Sequence, residues 1–516
     1  MLRRVIGAAA ITAVMSLSAS AQELKWGLQS ELTSLDPHFS RQGTNKALAR
    51  HIFDALILPD QNMRPQPGLA LSWEPLNDLV WEVKLRPDVK FHDGSDFTAE
   101  DVIFSYERVE TIVNSPSPYT VFTANIDRLE VIDGYTIRIH TREPYPLLPQ
   151  AMGEIYIVSS ESEEAGEQNG HQSLVGTGPY VLDSYSPGQS IRLTRSDNYW
   201  GDVPEVESVR FDILRNTASR LAALLSGDVD IIENPSSADH ARLKEDPKFE
   251  LLSTVSYRII YVGLDQESDT APQGVSGTDG KNPFKDQRVR EAMSIAINRH
   301  AISQRIMQGA STPATQLLPP PFYEHDDTIP DNIYDPERAK ALLSEAGYPN
   351  GFSVTISATN DRYVNDAMLA QAIASNLSQV GIKTEVNVMP GNVGIPKIAN
   401  REFGMFLIGA GQSTGEGTYG LGNLVASYDP DKGRGLSNHS RYSNPELDAL
   451  IQTASSTVDE EKRTTMVRDI VKAAMADVAF IPIHWEHTSW AMRRGVVYKG
   501  RIDQFNLATD VTFQSE

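Results

Sequence analysis

The stretch from Ser353 to Met389 restricts the fold more than any other part of the chain. Ser353–Ala358 alternates Val354 and Ile356 as a strand does, and the spacing then predicts a helix over about Val364–Val380. Lys383–Met389 returns to strand patterning. A strand–helix–strand order of this length predicts a parallel pair joined by a crossover, hence an α/β layer with a covered sheet. A further strand is expected at Gly404–Ile408. Open parallel sheets place ligands beyond the carboxyl ends of their strands. Two polar loops are expected there: Thr359-Asn360-Asp361-Arg362-Tyr363, and Gly409 to Gly417, which contains Gly411, Gln412, Ser413, Thr414 and Glu416. Glycines in the second loop let backbone approach a ligand closely.

Elsewhere the pattern is mixed. Leu24–Leu28 reads as a strand, and Trp81, Val83, Leu85 followed by Val89 and Phe91 read as a hairpin-like pair ending at Asp93-Gly94. Thr98 is expected to cap a helix with Asp101 at its third position and Val102, Tyr106 and Val109 on one face. Strands follow at Leu129–Ile132 and Thr136–His140, so the early region is β-rich. Later, Asp286 and Asp335-Pro336 read as helix starts. A long helical stretch, about Ser443–Thr453 and again Glu460–Ala476, leads into the apolar run Val478–Ile483.

Arg3 and Arg4, the apolar stretch Val5–Leu17 and Ala19-Ser20-Ala21 have the layout of a cleavable secretory signal over residues 1–21. That stretch is shorter than the roughly 20 residues a membrane-spanning helix needs. With no cysteine there is no lipoprotein anchor, disulfide, thiolate metal site or cysteine nucleophile. A free secreted protein of this kind is expected in a Gram-negative periplasm. Removing residues 1–21 deletes two arginines and no acid, moving the net charge from −22 to −24. This argues against nucleic acid and anionic membranes as partners.

Several separated motifs occur in one order: Leu71-Ser72-Trp73-Glu74, Val89-Lys90-Phe91-His92-Asp93-Gly94, Gly176-Thr177-Gly178-Pro179-Tyr180, Asn198-Tyr199-Trp200-Gly201, Gly227-Asp228-Val229-Asp230 and Tyr334-Asp335-Pro336-Glu337-Arg338-Ala339. With these motifs the chain resembles the peptide/opine/nickel class of ABC-transporter substrate-binding proteins, solute-binding family 5. The resemblance implies an α/β fold like the periplasmic binding proteins (class II, cluster C), with two lobes, an extra β-rich domain and an inter-lobe ligand cleft. It places domain I at 22–57, 186–263 and 489–516, domain II at 58–185 and domain III at 264–488. It also implies a monomer that passes a small peptide-like, opine or sugar-like ligand to ABC permease subunits, with no catalysis and no cofactor.

Within that frame, the cluster His92, Asp93, Glu100 and Asp101 reads as turn and cap chemistry, not an active site. Gly411-Gln412-Ser413-Thr414-Gly415 matches the G-x-S-x-G of serine hydrolases, so a secreted hydrolase using Ser413 is the alternative. The family's peptide binders hold the ligand's ammonium with an aspartate in this loop. Here Gln412 and Ser413 stand in that neighbourhood and Glu416 is the nearest carboxylate. Glu416 for an amine, or Gln412, Ser413 and Thr414 for a hydroxyl-rich ligand, are both open readings. Arg362 is the candidate partner of a ligand carboxylate, with a salt bridge to Asp361 or Asp366 as the competing reading. His484 and Trp485, after the strand Phe480–Ile483, are candidates for a cleft wall, with core packing as the alternative.

Overall fold

A computed structural model describes residues 23–162, 174–330 and 333–514; the expected signal segment lies outside them. Twelve strands form one sheet that runs through the whole molecule. At its centre, Phe249–Leu264 and Ile481–Arg493 pair antiparallel along nearly their full length. On one side of this pair lie Ile231–Glu233, Glu23–Leu28, Ser208–Ile213, Ser190–Arg195 and Tyr180–Ser186. On the other lie Met405–Gly411, Ser353–Thr359, Lys383–Met389 and the short Val275–Ser276. Ser353–Thr359 is parallel to both Lys383–Met389 and Met405–Gly411, as the strand–helix–strand pattern required.

Alternation explains how one strand serves two cores. Ile260, Val262 and Leu264 bury against the helices Gln287–Ile295, Pro336–Glu345 and Asp366–Gln379. Their neighbours Ile259 and Tyr261 face the opposite core, built on Pro445–Ser456 and Glu460–Ala476. In the other half, Trp490 and Met492 pack with Leu24, Trp26 and Phe211, while Ala491 faces Leu221, Leu224 and Ile232. The helix starts follow the sequence. Asp286 accepts from Arg288 N at 2.9 Å and Asp335 from Arg338 N at 2.9 Å. The expected C-terminal helical stretch breaks between Ser456 and Glu460, where Asp459 caps the second helix.

A separate four-stranded sheet, in the order Ala70–Asn77, Val80–Leu85, Thr136–Thr141, Ile126–Asp133, covers the helix Ala99–Thr111. Thr98 and Asp101 form the expected reciprocal cap. The expected hairpin of Trp81–Leu85 with Val89–Phe91 is corrected. Val80–Leu85 pairs with Ala70–Asn77 and Thr136–Thr141 instead. Asp88 takes the left-handed conformation (φ 60°), and Phe91 N bonds Ser95 O at 2.9 Å, so Val89 and Phe91 bury as turn residues.

The family-like motifs act here as structural joints. His92 Nε2 meets Gly178 O at 2.9 Å. Thr177 Oγ1 and Trp200 Nε1 both donate to Asp54, at 3.0 and 2.7 Å. Burial pushes Asp54 up to about 7, and these donors pull against that rise. Gly176 lies against the Ile52 carbonyl, where a Cβ would sit 2.1 Å from the oxygen. Gly176→Ala should therefore cost on the order of 1–3 kcal/mol in denaturant unfolding; an unchanged midpoint would contradict this close contact.

Candidate functional site

The central strand pair has two irregularities, a one-residue slip between Ile260 and Tyr261 and a larger one before Ile259. Val255 pairs with His487 and Ile259 with Trp485, so Ser256, Tyr257 and Arg258 together stand opposite Glu486 alone. Extra residues in one strand bend it and raise its local twist. Other segments satisfy the displaced backbone groups: Tyr257 N donates to Ile502 O at 3.2 Å, and Tyr257 O accepts from Gln412 N at 3.1 Å. The bulge sits where both strands pass from one half of the molecule to the other, and the two halves form a crevice around it.

One side of the bulge opens on a cavity of ≈ 480 Å³. Gln29, Arg220, Ser237 and His240 line it from the N-terminal half, and Asp361 to Asn365 from the other. Arg258, Glu486 and His487 form its floor at the hinge. Glu486 joins two walls, accepting from Arg258 Nη1 at 3.0 Å and from Val364 N at 3.1 Å. Asp366 shapes the turn above it, accepting from Thr359 Oγ1, Arg362 N and Tyr363 N at 2.6, 3.1 and 3.2 Å. Asn365 adopts a left-handed backbone (φ 57°), a conformation asparagine tolerates better than most residues. Its Nδ2 reaches across the crevice to Ser237 Oγ at 3.2 Å.

The balance of charge in this cavity is positive. Arg220 spends its N–H groups on the carbonyls of Leu214, Arg215 and Glu233. Arg258 is paired with Glu486. The Arg362 side chain is exposed, with its guanidinium carbon 5.3 Å from the Tyr363 ring centre, and no carboxylate among the described residues pairs with it. The salt bridge to Asp361 or Asp366 does not form, because Asp361 accepts from Gly391 N at 2.7 Å and Asp366 is committed to the turn backbone. Burial lowers His240, and burial followed by the charge of His240 lowers His487 to about 4, so both are neutral at neutral pH. Three arginines thus face two carboxylates.

The sequence-derived candidates divide. Asp361, Arg362 and Tyr363 line this cavity, while Asn360 is exposed just outside it. Ser413 and Thr414 line a different cavity of ≈ 300 Å³ on the other side of the crevice. The remaining candidates turn inward. Gly411 belongs to the strand Met405–Gly411, which runs further than the expected Gly404–Ile408, and it lies under the Tyr257 ring. Gln412 is fully buried against Gly420. Glu416 is fully buried and pairs with Arg463 Nε at 2.9 Å while capping Thr418 N at 2.8 Å, so it is not free to meet a ligand amine. Ile481–Arg493 is a single strand, and it carries His484 and Trp485 into the core: neither ring nitrogen of His484 has a partner, and the Trp485 indole donates to Leu317 O at 3.4 Å. Burial, with His487 nearby, drives His484 down to about 3. The wall expected from this pair is supplied by the next residues, Glu486 to Ser489.

No histidine among the described residues hydrogen-bonds Ser413, so the nucleophile–base contact of a hydrolase is not present there. Among the described residues, no group of three or more histidines and carboxylates is placed to hold a metal ion. The residues sequence reasoning missed are Gln29, Ser237, Arg258, Asn365 and Glu486. Ser256-Tyr257-Arg258 carries no distinct signal in sequence, because Glu250, Ser253 and Thr254 already interrupt the same strand.

Residues 64–432 match the bacterial extracellular solute-binding proteins, family 5 Middle. The chain belongs to this family. It is a solute-binding protein of an ABC importer, and the hydrolase alternative finds no support. The family consists of periplasmic substrate-binding proteins for transport. The glutathione-binding protein GsiB of Escherichia coli K12 is 29% identical over 491 residues, which span 93% of this chain and 90% of that protein. Heme-binding protein A of Haemophilus influenzae is 30% identical over 448 residues, 81% of this chain and 78% of that one. Among solved structures, HbpA2 from Haemophilus parasuis superposes with a TM-score of 0.82 at 23% identity, covering 96% of this chain and all of that one. The unliganded open form of the murein tripeptide-binding protein MppA gives 0.81 at 20% identity, covering 96% and 98%. These similarities agree with the expected α/β periplasmic binding protein fold.

Two substitutions test the buried carboxylates in and beside the glycine-rich loop, the first by chemical denaturation. Glu416→Gln leaves Arg463 buried without its partner and should cost about 3–5 kcal/mol. Glu324 is buried beside this pair, accepts from Gly417 N at 3.1 Å, and is pushed up to about 8 by burial and then by Glu416. Between the ordinary glutamate value of 4.5 and about 8, the unfolded chain releases a proton the folded chain keeps, so stability falls as pH rises. Glu324→Gln should flatten that fall in melts between pH 5 and 8, leaving the part contributed by Asp54; a pH dependence unchanged from wild type would contradict the buried proton.

Proposed function

We propose that this solute-binding protein captures a small carboxylate-bearing solute, peptide-like or opine-like, in the ≈ 480 Å³ cavity and presents it to the permease subunits of its importer. Arg362 carries the reading. It is an exposed guanidinium, steadied by an aromatic ring and paired with no carboxylate among the described residues, on a cavity whose other charges nearly cancel. A planar fork of this kind favours a bidentate carboxylate. Glutathione and heme, named as the ligands of the two curated relatives, both carry free carboxylates. The secretory layout of residues 1–21 and the absence of cysteine support release of the mature chain into a Gram-negative periplasm, without a lipid anchor.

Capture then follows from differential affinity. A solute touching Arg362 on one wall and Gln29 or Ser237 on the other binds the closed state better than the open one. It shifts the equilibrium only by that difference.

The test is a thermal-shift screen of carboxylates, glutathione and dipeptides included, followed by calorimetry on the tightest. Arg362→Ala should weaken that solute about 10- to 100-fold, the loss of a charge-assisted pair, with little change in melting temperature. Equal affinity for the amidated analogue would overturn the carboxylate reading.

A further inference from the structure

One hairpin of the N-terminal half reaches the other half beside the hinge. Its arms fold back on each other: Ile57 bridges Pro67, Leu58 N donates to Gln66 O at 3.0 Å, and Asp60 N donates to Arg64 O at 3.0 Å. The Asp60 carboxylate ties the tip, accepting from Asn62 N and Arg64 N at 2.8 and 3.0 Å. Buried Arg501 holds the same turn, donating to Pro59 O and Asp60 O at 3.2 and 3.0 Å. These bonds fix the hairpin to its own half.

The tip is also bonded to the hinge. Gln61 O accepts from Ile502 N at 3.0 Å, Ile502 O from Tyr257 N at 3.2 Å, and Tyr257 O from Gln412 N at 3.1 Å. Three backbone bonds thus run from the hairpin, through the C-terminal segment and the bulge, to the other half. Side chains cross as well. Met63 packs against the core that holds Leu317, Leu421 and Trp485, and a Cβ at Gly415 would sit 2.7 Å from the Met63 Cβ. Arg64 lies over the Tyr323 ring, its guanidinium carbon 5.8 Å from the ring centre. Met63 holds a left-handed backbone (φ 64°), which strains any residue with a side chain and costs glycine nothing. A hairpin that only had to turn would carry glycine there. Methionine accepts the strain and supplies a flexible apolar side chain that reaches the far core.

Contacts that span two halves favour the arrangement in which they form, with or without solute. We infer that the hairpin 57–67 is a strap across the hinge that sets how readily the halves close, with Met63 and Arg64 as its positioning residues. Neither lines the cavity at Arg362, so they act on capture through closure and not through contact with the carboxylate held there. The inference rests on capture by closure and is independent of the charge of the solute.

The chain contains no cysteine, so spin labels on Ala222→Cys and Gln452→Cys, exposed on helices of opposite halves, report a single distance. In the solute-free chain, Arg64→Ala should move the populations about 2- to 5-fold toward the longer distance, the factor an exposed cation–ring contact carries. Tyr323→Leu should match it, and the two together should do no more than either alone. Met63→Gly should also lengthen the distance, while its melting temperature stays near wild type because relieved strain offsets lost packing. Affinity for the tightest solute of the carboxylate screen should fall by up to the same factors, since only the closed fraction binds tightly. Variants with wild-type distances and affinities would overturn the strap. So would lowered melting temperatures with unmoved distances, which would mark the hairpin as structural alone. A wild-type distance that solute does not shorten would instead contradict capture by closure, on which the strap depends.

Discussion

The antiparallel pair Phe249–Leu264 and Ile481–Arg493 is the constraint on which the rest of the molecule depends. Among the described residues, it is the element pair that carries side chains into the cores of both halves, and its residues alternate between faces in each. A regular ladder of this length would be stiff. Three residues opposite one interrupt it where the halves meet, and outside segments satisfy their backbone groups. Bending there sacrifices few ladder bonds and disturbs neither core. Glu486, alone opposite the bulge, bonds both Arg258 and the backbone of the Arg362 turn, so the bulge and that turn are coupled through one carboxylate.

The polar groups of the crevice fall into two kinds. Glu416, Asp366, Asp54 and Arg463 are each held by specific partners, and their worth is in fixing loops and joints. Arg362 has a ring beneath it and no ion pair with a carboxylate among the described residues. In a protein with an excess of acids, a cation left unpaired on an inter-lobe cavity stands out from its surroundings. The proposed ligand chemistry therefore rests on Arg362 and not on the glycine-rich loop, whose carboxylate is already engaged.

Much of the fold was legible because its signals are local. The strand–helix–strand of 353–389, the caps at Thr98, Asp286 and Asp335, and the turn at Asp93-Gly94 depend on neighbouring residues and appear as expected. The strand Ala70–Asn77 was missed because most of its residues are exposed, which removes the alternation a half-buried strand shows. The site was legible in part. The placement of Asp361, Arg362 and Tyr363 on a cavity follows from their position after a strand end. His484 and Trp485 were misplaced because their strand continues through them, which nothing in their composition marks. Gln412 and Glu416 look like ligand groups in sequence, and only the position of Gly420 and Arg463 shows where they point. Arg258, Asn365 and Glu486 act through contacts between segments more than a hundred residues apart, beyond the reach of any local pattern.

The account reduces to closure of two halves about a bulged strand pair when a solute fills the crevice. Small-angle scattering of the mature chain, with and without the tightest solute from the carboxylate screen, measures this directly. A smaller radius of gyration at saturation is the predicted result. Identical scattering curves at full occupancy would contradict it.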